Sequence, residues 1–350
     1  MIGLDFGSLS CRGILAGSRD GSVLCEAEYA YPHAIITAPC KDLPGLSEKW
    51  CLQDPDDYRE ALVFVLRELF AKSCVDPEAV AAVGVDATAS TVLAVDKECV
   101  PLCKKEEYKA RIHAWPKMWK HHAAFKEAAD LTRAAREFRL PWLDSVGGEI
   151  GAEFFVSKVL ECFREDRQLF DATDTFLELG DWIVSLLAGQ EIRSRTFLAC
   201  KAMWSEASGF PPEEYFDAAE RGFGSGYYAK MTGRSQCICF PGEAAAEVSE
   251  TMAALTGLAP GTVMTAAQMD GYAGIPGSGI CEAGVLMMVL GTSTSFMLLD
   301  ERDTPVEGIC ASMPDSIYRG LLCHAAGQPG TGDMLQWYME NALPGSCERK

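Results

Sequence analysis

A two-domain α/β protein is what this sequence predicts, and three observations predict it. Short apolar runs of strand character end in an acid or a hydroxyl beside glycine or other small residues. They are Ile2-Gly3-Leu4-Asp5-Phe6-Gly7-Ser8, the run into Asp86-Ala87-Thr88-Ala89-Ser90, and the run into Met269-Asp270-Gly271. Stretches with helical apolar spacing separate them. The order strand, glycine-hydroxyl turn, strand at Gly7-Ser8 then recurs at Gly291-Thr292-Ser293-Thr294. At 350 residues the chain is long enough for two ordinary domains and a large core.

Composition narrows the class of partner. Hydrophobic residues make up 48% and charged residues 23%, as in soluble globular proteins. A net charge of -19 argues against nucleic acid or an anionic membrane as a partner. The fifteen cysteines are mostly scattered singly among apolar neighbours, and Cys237-Ile238-Cys239 lacks zinc-knuckle spacing. Reduced core thiols in the cytoplasm fit better than a disulfide or metal framework, and no signal peptide or membrane-length apolar run is seen.

Asp5 with the turn at Gly7-Ser8 suits a phosphate-cradling hairpin, in which backbone N–H groups face an anion and the carboxylate holds a metal ion through water. Ligand-free glycine hairpins are commoner, so this stretch alone decides nothing. Residues 23–31 read as a third strand. Asp54-Pro55 opens a helix, with Asp as N-cap and Pro at the first helical position; Leu62, Val65, Leu66, Leu69 and Phe70 give it a packed face. Residues 79–85 and 91–95 read as buried strands. Residues 112–122 concentrate Trp115, Lys117, Trp119, Lys120, His121 and His122. Adjacent histidines diverge on a helix, so a metal pair is rejected; Trp119 and lysine could line a polyol pocket, or Trp could fill core beside a snorkelling Lys.

Residues 130–187 read as mainly helical, broken at Gly147-Gly148, with Asp181 near the start of a helix. Lys201 stands among small and aromatic neighbours, which makes a pocket more credible than for an isolated surface lysine. Gly222-Phe223-Gly224-Ser225-Gly226 reads as a flexible loop, residues 248–255 as a helix, and residues 283–290 and 296–299 as paired strands. Asp270 closes a strand; it can be a helix cap, the commoner case, or a general base on rigid scaffold. Two glycine-hydroxyl hairpins could clasp a triphosphate from both sides, and the absence of G-x-x-x-x-G-K-[ST] excludes a P-loop.

Taken together, these stretches resemble the FGGY carbohydrate kinases, and among them the kinases of L-ribulose. The resemblance rests on residues 3–8, Tyr31-Pro32-His33, residues 53–58, Gly84-Val85-Asp86 with Thr88-Ala89, and Trp119-Lys120-His121-His122. It continues through residues 180–184, residues 201–205, Asp270, residues 291–294 and Ala326-Gly327-Gln328. It implies an actin/hexokinase-like fold of two ribonuclease H-like domains, here residues 1–255 for sugar and 256–350 for part of the nucleotide domain, with ATP and Mg2+ bound in the cleft. It implies transfer of a phosphoryl group to the 5-hydroxyl of a ketopentose, with Asp270 as general base and also a sugar ligand. Ala89, Trp119 and Lys201 would bind sugar; Asp5, Gly7, Ser8, Gly291, Thr292 and Ser293 would hold nucleotide phosphates, Asp5 through magnesium. A homodimer is compatible with the resemblance.

Two departures qualify these expectations. The family places a sugar-binding Glu before Ala-Gly-Gln, where this chain has Ala325, so D-ribulose, xylulose or a pentitol are alternative substrates. Ala87 also replaces a common Phe. The resemblance stops at Lys350, before a glycine-rich adenosine segment, so the second sheet is expected to be incomplete with exposed apolar faces. The expectation is a truncated or fragmentary kinase with weak nucleotide binding, or a non-catalytic sugar-binding fragment.

Overall fold

The computed structural model describes residues 1–41, 43–232, 237–290, 294–304, 306–328 and 330–342, apart from the side chain of Asp333. Two compact units divide the chain: Met1–Leu140 with Glu149–Ala273, and Pro141–Gly148 with Gly274–Lys350.

The first unit opens with β1 (Ile2–Phe6), β2 (Ser10–Ala16) and β3 (Val23–Ala30), an antiparallel meander. Helix α1 (Pro55–Ser73) packs on it. Its start follows the expected chemistry: the Asp54 carboxylate accepts the Asp56 N–H at 2.9 Å, Pro55 needs no donor partner, and Asp56 and Asp57 face the positive end of the helix dipole. Cys74, in a left-handed conformation, ends it. Tyr58, Leu62, Val65, Leu66 and Leu69 are buried, each apolar side chain contributing about 1.5–3 kcal/mol. Gly13 of β2 permits the close approach, since a Cβ there would meet Val65 at 2.3 Å.

Next come β4 (Ala82–Ala87) and β5 (Val92–Val95), then α2 (Phe125–Phe138), α3 (Phe155–Glu165) and α4 (Arg167–Ala172). They are followed by β6 (Thr175–Glu178), α5 (Leu179–Ala188), β7 (Arg193–Ser194), α6 (Arg195–Lys201), α7 (Glu213–Ala219) and α8 (Phe223–Thr232). The unit continues with β8 (Ile238–Cys239), β9 (Ala244–Glu247), α9 (Glu250–Thr256), β10 (Val263–Thr265) and β11 (Gln268–Met269), and reaches the start of α10 (Asp270–Gly277). Among the described residues the main sheet runs β3-β2-β1-β4-β10-β9, with β11 also on β4; β1, β10 and β11 all lie parallel to β4.

The glycine-rich stretch at 222–226 is not the expected loop, because α8 begins at Phe223. Packing overrides propensity here. A Cβ on Gly224 would meet the Glu213 carbonyl oxygen at 2.4 Å, and one on Gly226 would meet the Phe170 ring at 3.1 Å. The glycines let α8 lie directly on its neighbours. Residues 79–81 likewise fall before β4, since Pro77–Ala79 forms a 3-10 turn capped by Asp76.

The second unit holds β12 (Leu286–Leu290), β13 (Thr294–Asp300), β14 (Ala311–Pro314), β15 (Leu322–Gln328) and α11 (Gly332–Asn341). Its sheet is antiparallel in the order β12-β13-β15-β14. Edge strand β12 exposes Leu286, Met288, Val289 and Leu290, and α11 exposes Leu335 and Trp337. The Gly147-Gly148 break is explained within this unit: Gly147 has φ +71 and a Cβ there would meet the Ile309 carbonyl oxygen at 2.3 Å.

Candidate active site

Parallel pairing of β1 with β4 puts Gly3 opposite Gly84 and Asp5 opposite Asp86. In both strands the alternate residues, Ile2, Leu4, Phe6 and Val83, Val85, Ala87, point into the core. The period of two therefore sends both aspartates to the other face, where the preceding glycines leave space. The third strand brings its own acid by a break in register. Met264 lies opposite Val83 but Gln268 opposite Asp86, so one extra residue is accommodated between β10 and β11. Asp270 follows as the first residue of α10.

Three carboxylates thus cluster at the carboxyl ends of adjacent parallel strands, the position at which open α/β sheets bind ligands. Burial, the negative charge of Asp5, a hydrogen bond shared with it, and the charge of Asp270 raise the Asp86 pKa well above the usual carboxylate range. Asp86 is therefore held protonated beside Asp5 at neutral pH. Asp270 remains exposed to solvent, while the protein crowded around it and the charge of Asp5 push its pKa up to about 6, against the Gly271 N–H, which donates to it at 2.6 Å. Such a carboxylate is mostly ionised at neutral pH and more basic than an ordinary one. It can take a proton from a hydroxyl group.

The neighbouring turn is tied down by distant residues. The Gly7 N–H donates to the Ser10 carbonyl at 3.0 Å. Gln53 donates its amide to the Ser8 carbonyl at 2.9 Å, and the Trp119 indole N–H donates to the Ser8 hydroxyl at 2.8 Å. Trp119 and Ser8 are thereby in contact, with the indole 37% exposed. Ala89 lies in the turn after β4, and Ser90 beside it has φ +63. Lys201 ends α6 with its ammonium 3.8 Å from the centroid of the Phe154 ring. Gly291, Thr292 and Ser293 lie outside the described residues. Among the described residues no three His, Cys, Asp or Glu side chains converge to ligate a metal ion directly.

Asp86 is the site residue whose role sequence reasoning missed, although its motif was noticed; the signal available was the matching strand-acid pattern at Asp5. A buried charge network behind the turn at Ala89 was also missed. Lys117 donates to Glu161 at 2.6 Å, and His121 pairs with the same carboxylate at 2.9 Å. Burial pushes the His121 pKa down to about 4, so its neutral ring is a core partner of Glu161 rather than a metal ligand. Lys158 is fully buried, which pushes its pKa down to about 7, with Glu178 its strongest charged neighbour. Asp181 stands in the first turn of α5, as expected, and its carboxylate accepts the Ser194 N–H at 2.8 Å.

Comparison with known proteins identifies the fold. The fold is the actin/hexokinase-like fold of the FGGY sugar kinases. A xylulose kinase from Rhodospirillum rubrum superposes with a TM-score of 0.77 at 18% identity, covering 99% of this chain and 64% of that one. A gluconate kinase from Lactobacillus acidophilus gives 0.76 at 14% identity, covering 98% and 62%.

Sequence narrows this further: over nearly its whole length the chain is similar to ribulokinases. It is 36% identical over 345 residues to a ribulokinase of Geobacillus thermodenitrificans, covering 98% of this chain and 60% of the relative. It is 33% identical over 350 residues to one of Shouchella clausii, covering 100% and 62%. The chain thus spans about 60% of the length of these relatives. No family model matches it. No described helix is long and apolar enough to cross a membrane.

Proposed function

We propose that this chain carries the sugar-side site of an ATP-dependent ketopentose kinase acting on L-ribulose. The observation that carries the reading is Asp270, open to solvent, with a pKa pushed up to about 6, beside the Asp5–Asp86 pair. Asp270 takes the 5-hydroxyl proton as the bond to phosphorus forms. Ala89 bounds the sugar, Lys201 donates hydrogen bonds to its hydroxyls and the Trp119 face packs on its C–H groups. With the Gly7 N–H held by the Ser10 carbonyl, phosphate meets the rest of that turn at Ser8.

Asp5 and Asp86 fit a magnesium ion that keeps its waters, because two hard oxygen donors already share a proton that a dication would displace. When bound, Mg2+ supplies neutralisation of phosphate charge. Asp5, with Asp86 beside it, would hold it. Similarity to ribulokinases supports L-ribulose as the sugar.

Ala325 favours a second possibility, since it offers no carboxylate to a sugar hydroxyl where the family has Glu. It lies in β15, opposite Met297 and Ala311. Another pentulose or a pentitol is then the better substrate. Calorimetry with L-ribulose, D-ribulose, xylulose and ribitol, each with and without ATP, tests both readings. Tightest binding of L-ribulose supports the first and tighter binding of another sugar supports the second. Binding of none removes both, and sugar binding without nucleotide binding makes this a sugar-binding chain.

A further inference from the structure

We propose that Lys158 is a positioning residue that holds the turn carrying Ala89 against the segment carrying Trp119. The substrate consequence drawn below rests on the ketopentose-kinase reading. Lys158 is 1% exposed and its ammonium is spent on backbone carbonyls of both segments: Ser90 at 2.5 Å and Met118 at 2.8 Å, with Lys117 at 3.5 Å. Ser90 and Met118 each adjoin one of the two residues assigned to the sugar, Ala89 and Trp119.

Two further observations point the same way. Ser90 occupies a left-handed conformation, φ +63, that a side-chain-bearing residue adopts only when its surroundings hold it there. The Lys117 ammonium returns the link by donating to the Lys158 carbonyl at 3.1 Å. A lysine that merely filled space in α3 would not direct its donors at two different loops, and burying its charge without a hydrogen-bonded carboxylate would be costly. Here the donors join the two loops across 68 and 40 residues of sequence.

The test is hydrogen–deuterium exchange and L-ribulose calorimetry on the unaltered chain, on Lys158→Met, and on Lys158→Met with Ser90→Gly. Glycine adopts the left-handed turn without strain, so it should partly substitute for the lost tether. Expected for Lys158→Met are exchange about ten-fold faster at residues 88–92 and 117–121 with the rest of the unit unchanged, and a Kd for L-ribulose raised about ten-fold. Adding Ser90→Gly should recover part of both changes. Unchanged exchange in both segments overturns the assignment whatever the sugar does. Failure of the unaltered chain to bind L-ribulose sinks the kinase reading alone, and the exchange comparison still judges Lys158. If Lys158→Met loses protection everywhere, Lys158→Gln, which keeps a donor, takes its place in the same comparison.

Discussion

Replacing Glu161 with glutamine should destabilise the first unit strongly, although the side chain keeps its shape. Glu161 is 1% exposed and accepts from Lys117 at 2.6 Å and from His121 at 2.9 and 3.1 Å. Glutamine keeps one acceptor oxygen but no charge, so the Lys117 ammonium, 3% exposed, loses its counter-ion and is left with neutral acceptors, among them the Lys158 carbonyl at 3.1 Å, and the Trp50 ring 5.2 Å away. Breaking a buried pair in this way costs about 3–5 kcal/mol. The Trp50 face offsets part of that, so the lower end is expected, about 3 kcal/mol. That corresponds to a fall in Tm of about 6–12 °C for a unit of this size.

Thermal and urea denaturation of both proteins at pH 7 measures it. Glu161→Leu with Lys117→Met should recover much of the loss, since it removes both charges together. The pH dependence has a definite sign. Glu161 is held below its ordinary value of 4.5, chiefly by Lys117 and His121 acting against burial, and His121 is pushed down to about 4 from 6.5. Both groups take up protons more readily in the unfolded chain, so stability is present near neutrality; the His121 part is lost as pH drops from about 6.5 through 4 and the Glu161 part as it drops below 4.5. The part due to Glu161 should vanish in the glutamine variant. A loss below about 1 kcal/mol at pH 7, the range of exposed ion pairs, would refute the reasoning and mean that water reaches the cluster.

Gly180→Ala should cost about 1–3 kcal/mol by overpacking, because its Cβ would meet Phe197 at 2.7 Å and Ala267 at 2.9 Å, just before the strand that leads to Asp270; denaturation midpoints measure it. Asp86→Asn should stabilise the chain at neutral pH. The raised pKa of Asp86 gives stability that is full at low pH and lost as pH rises, so the variant's advantage should grow between pH 4 and 8, as paired denaturation curves would reveal. Turnover of ketopentose should fall as pH drops through about 6, where Asp270 protonates, in an initial-rate profile at saturating ATP.

How much of this was legible in the sequence depended on whether the signal was local. Asp5 and Asp270 could be found because an apolar strand, an acid and a glycine are neighbours in the chain. The cap of α1 at Asp54-Pro55 was legible for the same reason. The company of Trp119 suggested a pocket, but its hydrogen bond to Ser8 spans 111 residues and left no trace in either stretch. Lys158 and Glu161 in α3 look like the solvent face of an amphipathic helix. In the fold every residue from Phe155 to Phe163 is buried, and the charges are satisfied by residues some 40 positions away. The glycines of α8 misled because their purpose, close approach to Glu213 and Phe170, is tertiary.

The most direct test of the account is to incubate this chain and its Asp270→Asn variant with L-ribulose, ATP and Mg2+, following ADP release and formation of the sugar phosphate by phosphorus NMR. The account predicts L-ribulose-dependent ADP and a 5-phosphate product from the unaltered chain. It predicts turnover reduced by about 10²–10⁴-fold in Asp270→Asn, with the Kd for sugar changed far less. Sugar phosphate formed equally fast by both proteins, or no sugar-dependent turnover by either, would contradict it.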